Sequence, residues 1–123
     1  MKIAVIAHDG KKAEMVQFLS DSMHILKQES IELIATGTTG AHAEKAGLEV
    51  ERVMSGPLGG DAQIAAQVTE GKIHMVFFFR DPLDKHPHEP DILMLMRICD
   101  VHNIPLATNP ATAEMLLKAI ALD

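Results

Sequence analysis

Four short apolar runs recur along the chain, separated by segments with helical periodicity. The runs are rich in Ile, Val and Phe and lie at 3–7, 31–36, 75–79 and 104–108. Because each is continuously apolar, they predict strands covered on both faces, as in a parallel sheet. A weaker run at 48–54 alternates apolar and polar residues, which is typical of an edge strand.

Helical patterns fill the spaces between these runs. In the first of them, apolar residues recur three or four positions apart and share one face, at Met15, Phe18, Leu19, Met23 and Leu26. Helices are predicted at 11–28, 40–46, 61–71, 91–102 and 110–121. Alternating strands and helices predict a doubly wound α/β fold with right-handed crossovers, formed by one domain spanning residues 1–123.

Polar and ionisable residues collect directly after the predicted strands. In an open parallel sheet, ligands bind beyond the carboxyl ends of the strands, which meet at one edge. The sequence therefore predicts a ligand site at that edge. The residues concerned are His8-Asp9, the stretch 36–40, the stretch 55–61, Arg80-Asp81 and Thr108-Asn109.

Composition narrows the range of partners. With 17 acidic and 11 basic residues and a formal charge of −6, the chain is a poor match for nucleic acid or an anionic membrane. A small anion remains compatible, because backbone N–H groups can bind phosphate on an acidic protein.

Cys99 is the one cysteine, which excludes an internal disulfide, and its helical apolar surroundings predict a buried thiol. The run at 3–7 is too short for a signal peptide and no segment reaches the ~20 apolar residues of a membrane span, so a cytoplasmic protein is expected.

The stretch "ATGTTG" (35–40) is the first candidate for phosphate binding. Its glycines allow close approach to a ligand, and Thr36, Thr38 and Thr39 add hydroxyl groups ahead of a predicted helix. A helix N-terminus offers free N–H groups and the positive end of the helix dipole. The alternative is a structural N-cap by Thr38 or Thr39.

The stretch "SGPLGGD" (55–61) is the second candidate. Ser55 and the Gly56 amide can donate to a phosphate or substrate oxygen, and the later glycines allow the chain to approach a ligand closely. Asp61 is either a helix N-cap or a carboxylate brought close to a substrate. Two glycines beside Asp61 exceed what a cap requires, which favours the second interpretation.

The stretch "FFFRDPLDKHPHEPD" (77–91) leads from a buried strand into a proline-rich loop. His86 and His88 are one residue apart, but no other cluster of metal ligands completes a metal site. A neutral imidazole that donates to a carbonyl oxygen is an equally natural interpretation. Asp91 either caps the helix after Pro90 or contributes a carboxylate to the predicted ligand site.

In order along the chain, these stretches resemble the methylglyoxal synthase family. The similar elements cover almost the whole chain and are "AHD" with Lys12, "ATGTTG", "SGPLGGD", "FFFRDPLDKHPHEPD" and "NIPLATNPATA". The resemblance implies a three-layer, flavodoxin-like α/β fold with a mainly parallel five-stranded sheet. It also implies a carbon–oxygen lyase that converts dihydroxyacetone phosphate into methylglyoxal and inorganic phosphate, in a bypass of glycolysis.

The resemblance also implies roles for individual residues. Asp61 matches the catalytic base, and His88 and Asp91 match further catalytic residues, with His8 or His88 as hydrogen-bond donor and proton shuttle. Asp9 and Asp81 match supporting acidic positions. Substrate and phosphate contacts fall on His8, Lys12, Thr36, Gly37, Thr38, Thr39, Ser55, Gly56 and His88.

The implied reaction needs no metal or organic cofactor. Its expected partners are dihydroxyacetone phosphate as substrate and inorganic phosphate as product and inhibitor, and the resemblance implies a homohexamer. Many similar proteins continue past the last helix with a tail that carries an arginine toward a phosphate site. Because this sequence ends at Asp123, a contribution of that kind stays open.

Two alternatives share the predicted fold. A non-catalytic regulatory module that binds a phosphorylated effector would use the same phosphate turns, but it would leave Asp61, His88 and Asp91 without a role. A phospho-acceptor receiver domain would need an Asp after the third strand, where this chain has Ser55. The regulatory module is therefore the main alternative to an enzyme.

Overall fold

The structure, a computed structural model, describes residues 1–83 and 89–121. Within these ranges, strands and helices alternate along the chain. The strands are β1 (Lys2–Ala7), β2 (Glu32–Thr36), β3 (Glu51–Val53), β4 (Met75–Phe79) and β5 (Leu106–Ala107). The helices are α1 (Lys12–Asp21), α2 (Met23–Leu26), α3 (Gly37–Lys45), α4 (Gly60–Thr69), α5 (Glu89–Val101) and α6 (Pro110–Ala121), none of which is long and apolar enough to cross a membrane.

The five strands form one sheet in the order β3-β2-β1-β4-β5, and every neighbouring pair is parallel. The predicted parallel α/β fold is therefore confirmed. The strand order reverses between β1 and β4, where the chain crosses from one half of the sheet to the other. A crevice at the carboxyl end of the strands is expected at this reversal.

Two hydrophobic clusters cover the faces of the sheet and give the three layers. On one face, Val5 and Phe77 pack with α1, α2, α3 and α6; on the other, Ile6 and Phe78 pack with α4 and α5. Because successive strand residues alternate between faces, His8 continues the series of Ala4 and Ile6. The side chain of His8 is thereby directed toward the α4 and α5 side.

The predicted edge strand is shorter than the alternation suggested. Only Glu51–Val53 pairs with β2, whereas 48–54 was predicted. Leu48 instead closes the end of α3, because its N–H donates to the Ala43 carbonyl at 3.1 Å after Gly47 turns with φ of +99°. Its buried side chain supplies the apolar position that the sequence pattern attributed to a strand.

Other boundaries also differ from the prediction. The helix predicted at 11–28 is divided at Ser22, whose N–H is shared between the carbonyls of Phe18 and Leu19. Such bifurcated bonds are common where a helix ends. The strand predicted at 104–108 is limited to two residues at the sheet edge.

Cys99 is buried in α5, as predicted from the sequence. Burial, and then the nearby charge of Asp100, raise the pKa of the thiol from 9.0 to about 11. Near pH 8 the folded protein should therefore contain about 100-fold less thiolate than the unfolded chain. We expect Cys99 to react with iodoacetamide at least about 100-fold more slowly in native buffer than in denaturant. Equal rates, measured by mass spectrometry, would contradict this burial.

Candidate active site

A cavity of about 430 Å³ opens at the carboxyl ends of β1, β2 and β3, on the β2 side of β1 and not at the reversal between β1 and β4. It brings together most of the predicted site residues from three separate strand ends. Its lining comprises Ile6, Ala7, His8, Asp9, Lys12, Thr36, Thr38, Ser55, Gly56, Pro57 and Asp61. The rule that ligands bind beyond the carboxyl ends of parallel strands therefore located this cavity from the sequence.

A larger cavity of about 590 Å³ lies at the opposite edge of the sheet. Lys2, Glu32 and Glu51 contribute to its lining, and the Lys2 ammonium pairs with the Glu51 carboxylate at 3.1 Å. This hydrogen bond lowers the pKa of Glu51. The larger cavity includes none of the predicted site residues, so volume alone does not identify the site.

His8 follows β1 and is nearly buried, with 5% of its surface exposed. Its backbone N–H donates to the Phe79 carbonyl at 3.1 Å, and its ring meets Phe78 edge-on with centroids 5.1 Å apart. The Asp81 N–H donates to His8 Nδ1 at 2.9 Å. These contacts hold the imidazole in one orientation at the cavity.

Lys12 supplies a positive charge to the same cavity. It is the first residue of α1, after the 3-10 turn Asp9–Lys11, and its ammonium pairs with the Asp9 carboxylate. The Asp9 side chain is 95% exposed, so the pair lies at the solvent side. A phosphate entering the cavity would compete with Asp9 for Lys12.

The "ATGTTG" stretch begins α3 three residues earlier than predicted. Thr36 occupies the N-cap position, so an N-cap by Thr38 or Thr39 is wrong. Thr38 lines the cavity, whereas Thr39 is buried and Gly37 is half-buried outside the lining. A Cβ on Gly37 would lie 2.9 Å from the Ser55 Cβ. Glycine therefore allows this helix start to pack directly against the loop after β3.

The loop after β3 is folded back onto the start of α4. The Ser55 carbonyl accepts from the N–H groups of Leu58 and Gly60, both at 3.0 Å. A Cβ on Gly60 would overlap the Met54 carbonyl oxygen, so this contact requires glycine. The loop thereby places Ser55 and Gly56 in the cavity lining.

Gln63 is a supporting residue that the sequence pattern did not reveal. Its side-chain carbonyl accepts from the Met54 N–H at 2.8 Å, which ties the loop to α4. In the sequence, its role was indicated only by the presence of a side-chain amide two positions after Asp61. Many exposed helical glutamines have such a position, so the signal is not specific.

Asp61 lies in the first turn of α4 and is completely buried, with 0% exposure. The N-cap of α4 is Gly59, with φ of +102°, so the alternative that Asp61 is the cap is wrong. Burying a carboxylate costs folding free energy, and such residues are enriched at functional sites. Its place in the cavity lining therefore favours a chemical role.

The remaining predicted residues lie outside this cavity lining. Asp81 contacts His8 through its backbone, and Asp91 lies half-buried in the first turn of α5. Because α5 begins at Glu89, the alternative that Asp91 is its N-cap is wrong. The predicted His88 and the neighbouring His86 lie outside the described residues.

Two further features complete the description of this edge. Thr108 and Asn109 line a separate cavity of about 430 Å³ with Arg80, so the end of β5 does not join the candidate site. Within residues 1–83 and 89–121, no group of three or more His, Cys, Asp or Glu side chains is placed to hold a metal ion.

Comparison with known proteins identifies relatives over nearly the full chain. The family model described as "MGS-like domain" matches residues 18–108. The methylglyoxal synthase of Geobacillus sp. (strain WCH70) is 54% identical over 121 residues, which are 98% of this chain and 85% of the relative. That of Caldicellulosiruptor saccharolyticus is 57% identical over 121 residues, covering 98% and 84%. The crystal structure of methylglyoxal synthase from Elizabethkingia anophelis NUHP1 superimposes with a TM-score of 0.87 at 44% identity, covering 94% of this chain and 76% of that one. The chain therefore belongs to the methylglyoxal synthase family.

Proposed function

We propose that this chain is a methylglyoxal synthase, a carbon–oxygen lyase that converts dihydroxyacetone phosphate into methylglyoxal and inorganic phosphate. The observation that carries the proposal is a completely buried carboxylate, Asp61, in the same cavity as Lys12 and the start of α3. A phosphate site beside a carboxylate is the pairing that this reaction requires. Family membership supports the same activity.

The phosphate of the substrate binds at the start of α3. The first N–H groups of a nine-residue helix point out of its N-terminus, where the helix dipole also favours an anion. Lys12 adds a charge, and Thr36, Thr38 and Ser55 add hydroxyl donors. These groups orient the substrate so that its hydroxymethyl carbon lies toward Asp61.

Asp61 acts as the base. It removes a proton from the hydroxymethyl carbon beside the carbonyl, and the carbonyl oxygen becomes an enediolate oxygen. Hydrogen-bond donors aimed at that oxygen lower the barrier, because negative charge develops there. His8 lines the cavity and is one such donor; His88 and Asp91 keep the catalytic roles that the resemblance implies.

The enediolate then expels phosphate. Electrons of its double bond shift toward the phosphate-bearing carbon as the carbon–oxygen bond to phosphate breaks, and the hydroxyl on the deprotonated carbon gives up its proton to become the aldehyde group. This leaves inorganic phosphate and the enol of methylglyoxal, which takes up a proton at its terminal carbon to become methylglyoxal. The breaking bond must lie out of the enediolate plane to overlap its π system. Contacts at the start of α3 and at Ser55-Gly56 select that rotamer of the bound phosphate.

Purified protein mixed with dihydroxyacetone phosphate tests this function. We expect methylglyoxal and inorganic phosphate to form in equal amounts, measured by derivatisation of the aldehyde and by a phosphate assay. Binding of the substrate without turnover would instead favour the non-catalytic regulatory module. Formation of glyceraldehyde 3-phosphate without phosphate release would indicate an isomerase and overturn the proposal.

Substitution of Lys12 by Met tests the phosphate site. A charge-assisted hydrogen bond contributes about 1.5–3 kcal/mol, so we expect KM to rise about 10–100-fold with a smaller change in kcat. Lys11→Met is a matched control, because Lys11 is the adjacent lysine, pairs with Glu14 and does not line this cavity. Equal KM values for the two variants would remove Lys12 from phosphate binding.

Assembly, location and inhibition complete the proposal. The resemblance supports a homohexamer, and light scattering should give about six times the mass of one chain, 13.4 kDa. The sequence pattern supports a location in the cytoplasm. Inorganic phosphate, the product, should inhibit by competing for the start of α3. An apparent inhibition constant of phosphate that rises with the concentration of dihydroxyacetone phosphate would support this competition.

A further inference from the structure

The hydrogen bond between Asp81 and His8 determines where the imidazole carries its proton. The donor is a backbone N–H, which cannot accept, and the acceptor is Nδ1 of His8 at 2.9 Å. A protonated Nδ1 would face this N–H with a second N–H, and two donors at that distance repel. Nδ1 must therefore keep its lone pair, and the ring proton lies on Nε2.

We propose that Asp81, as a positioning residue acting through its backbone N–H, holds His8 as the neutral Nε2–H tautomer, so that the hydrogen bond proposed above for His8 is donated from Nε2 to the developing enediolate oxygen. The inference deepens the proposed function and rests on it for the identity of the oxygen. The tautomer itself follows from the geometry of the protein alone.

The sheet builds this arrangement into the fold. Ala7 of β1 and Phe79 of β4 are partners in the parallel register, and the His8 N–H continues the ladder by donating to the Phe79 carbonyl. Asp81 comes two residues after Phe79, and its backbone N–H donates to the side chain of His8. Its own Oδ1 accepts from the Leu83 N–H at 3.0 Å, which stabilises the turn carrying that donor.

The tautomer distinguishes between two roles, hydrogen-bond donor and proton shuttle, that the sequence did not assign separately to His8. A neutral Nε2–H group can donate to an oxyanion throughout the reaction, but it cannot accept a proton at Nε2. Giving up its own proton would leave a negatively charged imidazolate on His8, a residue that is only 5% exposed. His8 is therefore an oxyanion donor and not the proton shuttle, so proton transfer belongs to Asp61 and the other catalytic groups.

Nitrogen-15 NMR of the free protein near pH 7 tests the tautomer directly. Long-range ¹H–¹⁵N spectra distinguish a protonated from an unprotonated ring nitrogen, and the signals of His8 are those lost in His8→Gln. We expect a protonated Nε2 and an unprotonated Nδ1. A proton on Nδ1, or on both nitrogens, would overturn the proposal. Because no substrate is present, this result stands whether or not the protein makes methylglyoxal.

Asp81→Pro and Asp81→Ala test the positioning role. The first removes the backbone N–H, whereas the second keeps it and removes the carboxylate. We expect a mixture of tautomers only in Asp81→Pro. An unchanged Nε2–H tautomer in folded Asp81→Pro would show that Asp81 does not position His8, and the wild-type spectrum remains decisive if that variant does not fold.

Two substitutions of His8 test the donor. The amide nitrogen of Gln can take the place of Nε2, whereas the amide of Asn reaches only the place of Nδ1. Loss of one oxyanion donor costs about 10²–10³-fold in kcat, so we expect His8→Asn to lose about that much and His8→Gln to retain at least about tenfold more. Equal losses in the two variants would remove the Nε2 donor. An inactive wild-type protein would instead refute the proposed function and leave the tautomer to NMR.

Discussion

Asp61→Asn is expected to lower kcat by about 10²–10⁴-fold while changing the affinity for a phosphate-bearing inhibitor less than about threefold. The substitution keeps the shape of the side chain but removes its ability to accept a proton. Asp61 is completely buried, so bulk solvent does not contact its carboxylate and is a poor substitute base. The phosphate contacts proposed for Lys12 and the start of α3 are left in place. Steady-state kinetics and inhibitor titration measure the two effects separately.

A matched control distinguishes this effect from general damage. Asp21→Asn makes the same chemical change on an exposed carboxylate at the end of α1, where Asp21 accepts from Gln17 at 2.8 Å. It should keep wild-type kinetics. Denaturant unfolding of both variants should give similar midpoints. Turnover of Asp61→Asn within about tenfold of wild type would exclude Asp61 as the base, since general-base catalysis typically contributes more than that.

The sequence predicted the layers of the fold because the sheet is parallel and covered on both faces. Runs such as 75–79 are then apolar at every position, and all five residues of β4 are buried. The strand order was not predictable from such runs. It depends on which strands pair across the sheet, and periodicity along one strand carries no information on its neighbours.

The predicted helix boundaries were wrong where tertiary contacts determine the true ones. Glycine and threonine at 37–40 have weak helix propensity, which favours a turn before the helix. In the structure Gly37 is the first residue of α3, because only a residue without a Cβ can pack this closely against Ser55. The contact joins two strand ends that are distant in sequence, so no local pattern contains it.

The candidate site was predictable to the extent that one edge of the sheet collects the strand ends. His8, Thr36 and Ser55 each follow a strand and line one cavity. The sequence could not exclude Thr108 and Asn109, which also follow a strand but line another cavity. It also could not reveal the hydrogen bond between the Met54 N–H and the Gln63 side chain, which forms only when the loop folds back on α4.

Gly60→Ala should destabilise the protein, although local propensity predicts the opposite. Alanine in place of glycine within a helix normally stabilises it by about 0.8–1 kcal/mol. Here the new Cβ would overlap the Met54 carbonyl oxygen, a backbone atom that cannot rotate away. Overpacking typically costs about 1–3 kcal/mol, so the clash outweighs the propensity. Because the overlap is with a backbone atom, the cost lies at the upper end of this range, and after the propensity gain is subtracted we expect the free energy of unfolding, from denaturant titration, to fall by about 2 kcal/mol.

The same substitution should also reduce turnover, because relief of the clash moves the Met54 backbone away from α4. Ser55 and Gly56 follow Met54 directly, and Asp61 follows Gly60, so the two sides of the cavity would separate. Misplacement by about 1 Å can cost about 100-fold in rate. Gly71→Ala is the control: its φ is +77°, but the structure places no described atom within 4 Å of its Cβ. Gly71→Ala should lose about 1 kcal/mol through backbone strain and keep its kcat. A Gly60→Ala protein with wild-type turnover would show that close packing of this loop on α4 is not needed for catalysis.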